Sequence, residues 1–257
     1  MRHLPNLLTL ANLFCGCIAI SYILGAQNFT TNFSFNEYIE VPAIEQPYWG
    51  SVFILLAALF DMLDGFAARA LQIFSPIGKD LDSLADLVSF GVAPSMILFK
   101  LLWYSYIVLP EAMDVSLWLM SPAFLVACFA ALRLARFNVS TSQPDSSFSG
   151  LPVPAVGIFV ATLPLIQWQN PMGIGSQLYN TWLLYALIAL LSWLMVSKIR
   201  FFKFLPSTFN FKSIWPQLII IGVAAGLFPL IKSASLALAF IIYILLSFVY
   251  HPNIDKK

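Results

Sequence analysis

Four aspartates, Asp61, Asp64, Asp82 and Asp86, stand in two otherwise apolar stretches of the chain. A carboxylate deep in a bilayer costs about 2.5–3.5 kcal/mol on insertion scales, so four cost on the order of 10 kcal/mol, comparable to a whole domain's stability. Something must compensate. Asp61, Asp64, Gly65 and Ala68 fall at i, i+3, i+4 and i+7, one face of one helix, and Asp82 and Asp86 are i, i+4 on the next. Two facing helices thus offer four carboxylates to one space, where like charges repel unless protonated or bridged by cations. Arg69 and Lys79, the basic residues near in sequence, are too few to neutralise four negative charges and also balance an anionic ligand. Divalent metal meets the need, and hard oxygen ligands without His or Cys favour Mg²⁺ or Mn²⁺. Two other readings of the same residues stay open: a buried polar cluster that holds helices together, and a proton or cation path in a transporter. Gly65, Ala68 and Gly78 remove bulk around the acids, which suits helix packing and equally leaves room for a ligand to touch backbone.

The elements that must position these acids are membrane helices. The chain has 257 residues, 60% hydrophobic and only 10% charged, with a mean hydropathy of +0.85. Soluble domains carry about 25% charged residues, so this composition excludes an ordinary globular protein. A formal charge of +1 excludes a module held to nucleic acid by bulk electrostatics. Apolar runs long enough to cross about 30 Å of hydrocarbon lie at 7–24, 49–70, 82–104, 121–138, 152–168, 179–197, 214–231 and 234–250. The expected fold is therefore all-α and integral to the membrane, with about eight transmembrane helices. Pro5, Pro76, Gly78, Pro110, Pro122, Gly150 and Pro152 punctuate the breaks.

Charge location sets the orientation. With the N-terminus inside, Arg2, Arg69, Lys79, Arg133, Arg136, Lys198, Arg200, Lys203, Lys212, Lys256 and Lys257 all face the cytoplasm, eleven of thirteen basic residues. The 26–48 loop holds Glu37, Glu40 and Glu45, and the 105–120 loop Glu111 and Asp114, so both termini are expected in the cytoplasm. Asp61 lies nine residues inward from Ala70, about 14 Å along a helix, which puts the acids in the cytoplasmic half of the membrane. The first apolar run imitates a secretory signal poorly, with Ala19 and Ser21 at a weak cleavage site, and its removal would leave an odd number of spans. Cys15, Cys17 and Cys128 sit in apolar runs with no CxxC pair and read as small buried hydrophobes. No repeat or low-complexity tract divides the chain, so residues 1–257 are expected to form one membrane-embedded domain.

Written out, residues 61–86 are D-M-L-D-G-F-A-A-R, eight residues, then G-K-D-L-D-S-L-A-D. This resembles in every position the signature of the CDP-alcohol phosphotransferases, D-x-x-D-G-x-x-A-R-(eight)-G-x-x-x-D-x-x-x-D, in which eight specified residues over 26 positions are very specific. L-P-N-L-L-T-L-A-N (4–12), D-L-V-S-F-G-V-A-P-S (86–95), A-L-R-L-A-R-F-N (131–138), F-S-G-L-P-V-P-A (148–155) and the Met195-Val196-Ser197 end of the sixth run resemble the phosphatidylserine synthase branch. The resemblance covers about two-thirds of the chain and leaves out the 26–48 loop and the last two runs. It implies an integral membrane enzyme that takes a phosphoryl-linked group from a CDP-alcohol to a second alcohol and releases CMP. The implied substrates are CDP-diacylglycerol and L-serine, with a divalent-metal pair at the cytoplasmic face. By the same resemblance Asp61, Asp64 and Asp82 would be metal ligands and Asp86 both ligand and general base. Gly65, Arg69 and Ser75 would receive the CDP part, with Arg69 on its diphosphate, and Asn6 and Thr9 would contact the nucleotide, although Asn6 beside Pro5 also suits a helix cap.

Serine needs a cation for its carboxylate. Arg133 and Arg136, three apart near the end of the fourth run, and Asn138 after them are the candidates for serine or a lipid phosphate, while the arginines alone also satisfy positive-inside placement. Glycerol 3-phosphate or an inositol phosphate, doubly charged acceptors, would want a larger basic pocket. Direct transfer is expected, because no Ser, Cys or His sits near an evident base as a covalent nucleophile requires; His3 and His251 lie at the chain ends. Lys198, Arg200 and Lys203 suit snorkelling toward anionic headgroups. Gly222 and Gly226 make a G-x-x-x-G pair compatible with close packing or a homodimer seam. A cation-coupled transporter built on the same acids would need broken helices and two related halves, neither of which is evident. Membrane lipids surround the whole, and the resemblance favours a bacterial inner membrane.

Overall fold

The computed structural model describes residues 3–25, 29–34, 37–41, 45–72, 76–107, 115–140, 150–199, 201 and 211–249. Helix α1 spans Leu4–Leu24 and opens with Pro5 in its first turn, where a missing N–H costs nothing. Helix α2 spans Glu45–Leu71, 27 residues or about 40 Å, longer than the hydrocarbon core, so that Arg69 sits in its last turn beyond the apolar stretch. Then come α3 (Pro76–Asp86), α4 (Ala93–Ile107), α5 (Leu125–Ser140), α6 (Val153–Gln169), α7 (Thr181–Val196), α8 (Phe211–Ile231) and α9 (Ala234–Val249). Within the 26–48 loop, strands β1 (Phe29–Ser34) and β2 (Glu37–Val41), rich in Thr, Tyr, Ile and Val, pair antiparallel as a hairpin.

The apolar stretches fall on helical segments, the third of them across α3, a π-helical turn and α4, and the chain reads as a multi-pass membrane protein. By length and hydropathy, four segments among the described residues are suited to cross a bilayer: Leu4–Leu24, Gln46–Leu71, Ile77–Ile107 and Leu117–Val139. A fifth is a bent pair, the 3₁₀ segment Pro171–Tyr179 and α7, which meet at 87°. The remaining apolar segments, Val153–Gln169, Trp215–Ile231 and Ala234–Phe248, are of 10–17 residues. Of the charges that set the orientation, Arg2, Glu111, Asp114, Arg200, Lys203, Lys256 and Lys257 lie outside the described residues.

The third segment is not the single α-helix expected from hydropathy. It starts at Pro76, six residues before the apolar run, and changes to a π-helical turn at Leu87–Val92 directly after Asp86. Hydropathy does not register a π turn; tertiary packing explains this one. Ser89 Oγ donates to the Asn12 carbonyl of α1 at 3.1 Å. A Cβ on Gly91 would come within 3.2 Å of Ala130 of α5, and one on Gly157 of α6 within 2.8 Å of Phe90. Three helices thus close on the turn, and π turns recur at functional sites.

The fourth resembling motif also has a packing reason. Gly150 holds φ +87°, and a Cβ there would overlap the Met195 carbonyl. Its N–H donates to the Ile199 carbonyl at 2.8 Å, and that of Leu151 to the Leu194 carbonyl at 3.0 Å, which pins the start of α6 to the end of α7. Gly222 and Gly226, by contrast, have nothing within 4 Å of where a Cβ would stand, so this pair packs no neighbour within the described chain.

Candidate active site

The buried face of α1 runs Pro5, Thr9, Asn12, Gly16, Ala19 and Ile23, a helical spacing that puts two polar side chains, Thr9 and Asn12, in line with the acids. Gly16 allows the approach, since a Cβ there would overlap Ser89 of the π turn. One carboxylate oxygen each from Asp61, Asp64 and Asp82 lies within 4.8 Å of the others. Asp86 lies within electrostatic reach of Asp61, Asp82 and Asp64, and four carboxylates packed so closely in apolar surroundings need cations or protons to coexist. Asp64 and Asp86 are buried; Asp61 and Asp82 are half-buried.

Helix α1 supplies neutral donors. The Thr9 hydroxyl lies 2.7 Å from Asp64 Oδ2 and 3.0 Å from the Pro5 carbonyl; with one proton it serves one at a time, and the carboxylate is the stronger acceptor. Asn12 Nδ2 donates to Asp86 Oδ1 at 3.2 Å, while Asn12 Oδ1, fully buried, has no hydrogen-bond partner. Asn12 closes the first of the resembling motifs, which assigns it no role. The available signal was an amide in an apolar helix three residues after Thr9, because intramembrane polar residues that face the bundle interior are expensive to keep.

The remaining candidates separate. Arg69 is exposed and folds back over Gly65, where a Cβ would come 3.4 Å from Arg69 Nη1, so this glycine keeps open the space beside the guanidinium. Asn6 is half-buried in the first turn of α1, one residue after Pro5 and on the helix rather than before it. Ser75 lies outside the described residues. Arg133 and Arg136 do not share an environment: Arg133 is half-buried within electrostatic reach of Asp86 and of Tyr243 on α9, whereas Arg136 is exposed. Asn138 is taken up by α3. Its Nδ2 donates to Ser83 Oγ at 2.8 Å and its carbonyl accepts from Lys79 Nζ at 3.1 Å, which ties α5 to the side of α3 that carries Lys79 and Ser83. Asp80, Ser83, Leu84, Leu87, Ala131, Leu134, Ala135 and Asn138 line a cavity of about 310 Å³ on that side.

The model of CDP-alcohol phosphatidyltransferase matches residues 2–201, which include every residue of the acid cluster and its α1 partners. The chain belongs to this family. A CDP-diacylglycerol--serine O-phosphatidyltransferase of Helicobacter pylori (strain ATCC 700392 / 26695) is 32% identical over 209 residues, 81% of this chain and 75% of that protein. One of the same name from Bacillus subtilis (strain 168) is 32% identical over 201 residues, 78% and 90% of the two chains. An archaetidylserine synthase of Methanothermobacter thermautotrophicus is 33% identical over 153 residues, 58% of this chain and 56% of that protein. In this CDP-alcohol phosphatidyltransferase, α8 and α9 lie beyond the matched segment.

Proposed function

We propose that this chain transfers the phosphatidyl group of CDP-diacylglycerol to the hydroxyl of L-serine and releases CMP, from a site on the cytoplasmic side of a bacterial inner membrane. The observation that carries the reading is the meeting of Asp61, Asp64, Asp82 and Asp86 inside an apolar bundle, in a chain whose relatives from two bacteria bear the name of that activity. Eight spans with both termini cytoplasmic follow from the apolar stretches and from the basic residues on alternate connections. All of them would form one domain around the site.

The donor set fits a divalent metal, because three carboxylates within 4.8 Å and no histidine or cysteine among them suit Mg²⁺ or Mn²⁺. A pair of such ions held by Asp61, Asp64, Asp82 and Asp86 would offset charge on the diphosphate and on the departing CMP. Side chains do the rest. Asp86 takes the proton of the serine hydroxyl as that oxygen bonds to the phosphatidyl phosphorus and the bond from phosphorus to the CMP oxygen breaks. The Asn12 amide holds Asp86 Oδ1 and leaves the second oxygen for the proton. Thr9 fixes Asp64 in the same way from the next turn of α1. Arg69 above Gly65 suits the diphosphate, and Asn6, Thr9 and Ser75 the nucleotide, at the end of α2 where cytidine meets water. Arg133, nearer the acids than the exposed Arg136, suits the serine carboxylate. Asn138, turned to Ser83, supports the α3–α5 contact.

A second copy of the chain fits the open Gly222 and Gly226 stripe of α8, which Gly222→Ile tests by the sedimenting mass in detergent. The functional reading is tested by an acceptor screen on purified protein with CDP-diacylglycerol, following CMP release against serine, glycerol 3-phosphate and inositol phosphate. Serine-dependent release supports it, and release with another acceptor alone, or none, overturns it.

A further inference from the structure

Asn12 of α1 is 0% exposed and is held at both its backbone and its side chain. Its carbonyl accepts from Ser89 Oγ of the π turn at 3.1 Å, and its Nδ2 donates to Asp86 Oδ1 at 3.2 Å. Gly16, one turn further along α1, lets the two segments close, because a Cβ there would overlap Ser89. These contacts fix where the amide lies. They also fix which way it faces, since the reverse orientation would set its oxygen against an ionised carboxylate, two acceptors with no proton between them. Asn12 Oδ1 therefore stays beside Asp86, buried and without a hydrogen-bond partner.

A buried carbonyl oxygen with no donor is costly to keep. Ionised acids cannot supply the donor, and the Thr9 hydroxyl from the same face of α1 already serves Asp64 and the Pro5 carbonyl. The acceptor substrate can supply it. In the reaction proposed above Asp86 receives the hydroxyl of that substrate, and Asn12 Oδ1 is the next acceptor along, because a side-chain amide carries its nitrogen and oxygen on one carbon. Two neighbouring acceptor atoms match two donors on neighbouring carbons. Serine has such a pair, a hydroxyl on one carbon and an ammonium on the next, and the charged N–H donor makes the stronger bond to a carbonyl.

We propose that Asn12 is a specificity-determining residue: Asp86 receives the hydroxyl of the acceptor while Asn12 Oδ1 receives its ammonium group, so that the pair selects a 2-amino alcohol. The inference rests on the serine reading above and adds the atom that recognises the amino group.

The test compares serine with 3-hydroxypropionate, the same acceptor without its amino group, in wild type and Asn12→Ala, by CMP release from CDP-diacylglycerol in detergent micelles. Loss of the support to Asp86 slows both acceptors alike and cancels in the ratio of their kcat/KM values, whereas loss of a bond to the ammonium does not. Where 3-hydroxypropionate turns over too slowly to follow, its inhibition constant set against the KM for serine supplies the ratio. Wild type should prefer serine, and Asn12→Ala should cut that preference about 10- to 100-fold, the size of one hydrogen bond to a charged group. Affinity for CDP-diacylglycerol within about twofold of wild type reports an intact fold; if Asn12→Ala fails that control, Asn12→Ser, which leaves a smaller cavity, is read by the same ratio. An unchanged preference overturns the proposal and leaves Asn12 as a support of Asp86. An unchanged preference with a raised Mn²⁺ requirement makes Oδ1 a metal ligand and overturns it equally. Wild-type protein without serine-dependent CMP release overturns the functional reading and this inference together; a serine-dependent wild type whose preference survives in Asn12→Ala overturns this inference alone.

Discussion

The two ends of the bundle keep their buried polar groups in different ways. Where α4 meets α7, neutral groups pair with one another: Thr181 Oγ1 donates to Ser105 Oγ at 2.9 Å, the Tyr106 and Tyr185 hydroxyls lie 2.8 Å apart, and Tyr185 also donates to the Leu119 carbonyl. The Ser233 N–H is likewise met by Gln169 Oε1 at 2.9 Å. The Gln167 amide, Gln46 Oε1 and Ser233 Oγ, which have no partner, are exceptions there, and their cost is that of neutral groups. At the other end, four carboxylates face one another with two neutral donors from α1 and one neighbouring arginine. Neutral hydrogen bonds make up the first arrangement; the second lacks positive charge. The difference teaches where a ligand belongs: a bundle can close on neutral polarity by itself, whereas a cluster of anions in apolar surroundings marks a place where something outside the chain enters.

Substitutions at the two ends should therefore fail in different ways. The largest effect is expected at the acids. Asp86→Asn keeps the size of the side chain and removes its basicity, so turnover should fall about 10²- to 10⁴-fold while CDP-diacylglycerol still binds. Asp61→Asn chiefly weakens cation binding, and raised Mn²⁺ should recover part of its activity by mass action. CMP release and CDP-diacylglycerol affinity, both at saturating Mn²⁺, separate the two variants. An Asp86→Asn protein that turns over near the wild-type rate would show that another group accepts the proton.

Next in size is Asn12→Ala, which deletes the donor to Asp86 and leaves the cavity of a small amide. A hydrogen bond to a charged group is worth about 1.5–3 kcal/mol, so kcat should drop about 10- to 100-fold with little change in the KM for CDP-diacylglycerol. A normal kcat would reduce Asn12 to a helix-packing residue. The two arginines sharpen the site end further. Arg133→Lys replaces a fork with a point charge and should raise the KM for serine about tenfold, whereas exposed Arg136→Lys should leave it unaltered. Equal effects would return both to membrane orientation and lipid contact. Smallest is the change at the neutral end. Tyr106→Phe removes one neutral hydrogen bond and should cost about 0.5–1.5 kcal/mol, seen as a lower Tm in detergent with both KM values unchanged.

Much of this was legible in the sequence because it is local. The spacing of Asp61, Asp64, Asp82 and Asp86 needs only the helical period to place them on facing surfaces, and long apolar helices need only a window average. What escaped is set by neighbours distant in the chain. Asn12 meets Asp86 across 74 residues, and nothing within its own helix announces that partner. Arg133 and Arg136 share a helix sector by spacing, but only Arg133 has Asp86 and Tyr243 beside it. Asn138 looked like a third member of that group until Ser83, 55 residues away, took its amide. The π turn after Asp86 follows from close approach by α1, α5 and α6, which hydropathy does not encode.

The most direct test of the central claim, that the four carboxylates gather divalent cations for phosphatidyl transfer, is CMP release from CDP-diacylglycerol and serine by purified protein in excess EDTA, followed by metal replacement. The account predicts that release stops with the chelator and returns with Mg²⁺ or Mn²⁺ but not with Zn²⁺ alone; undiminished release in excess EDTA would contradict it.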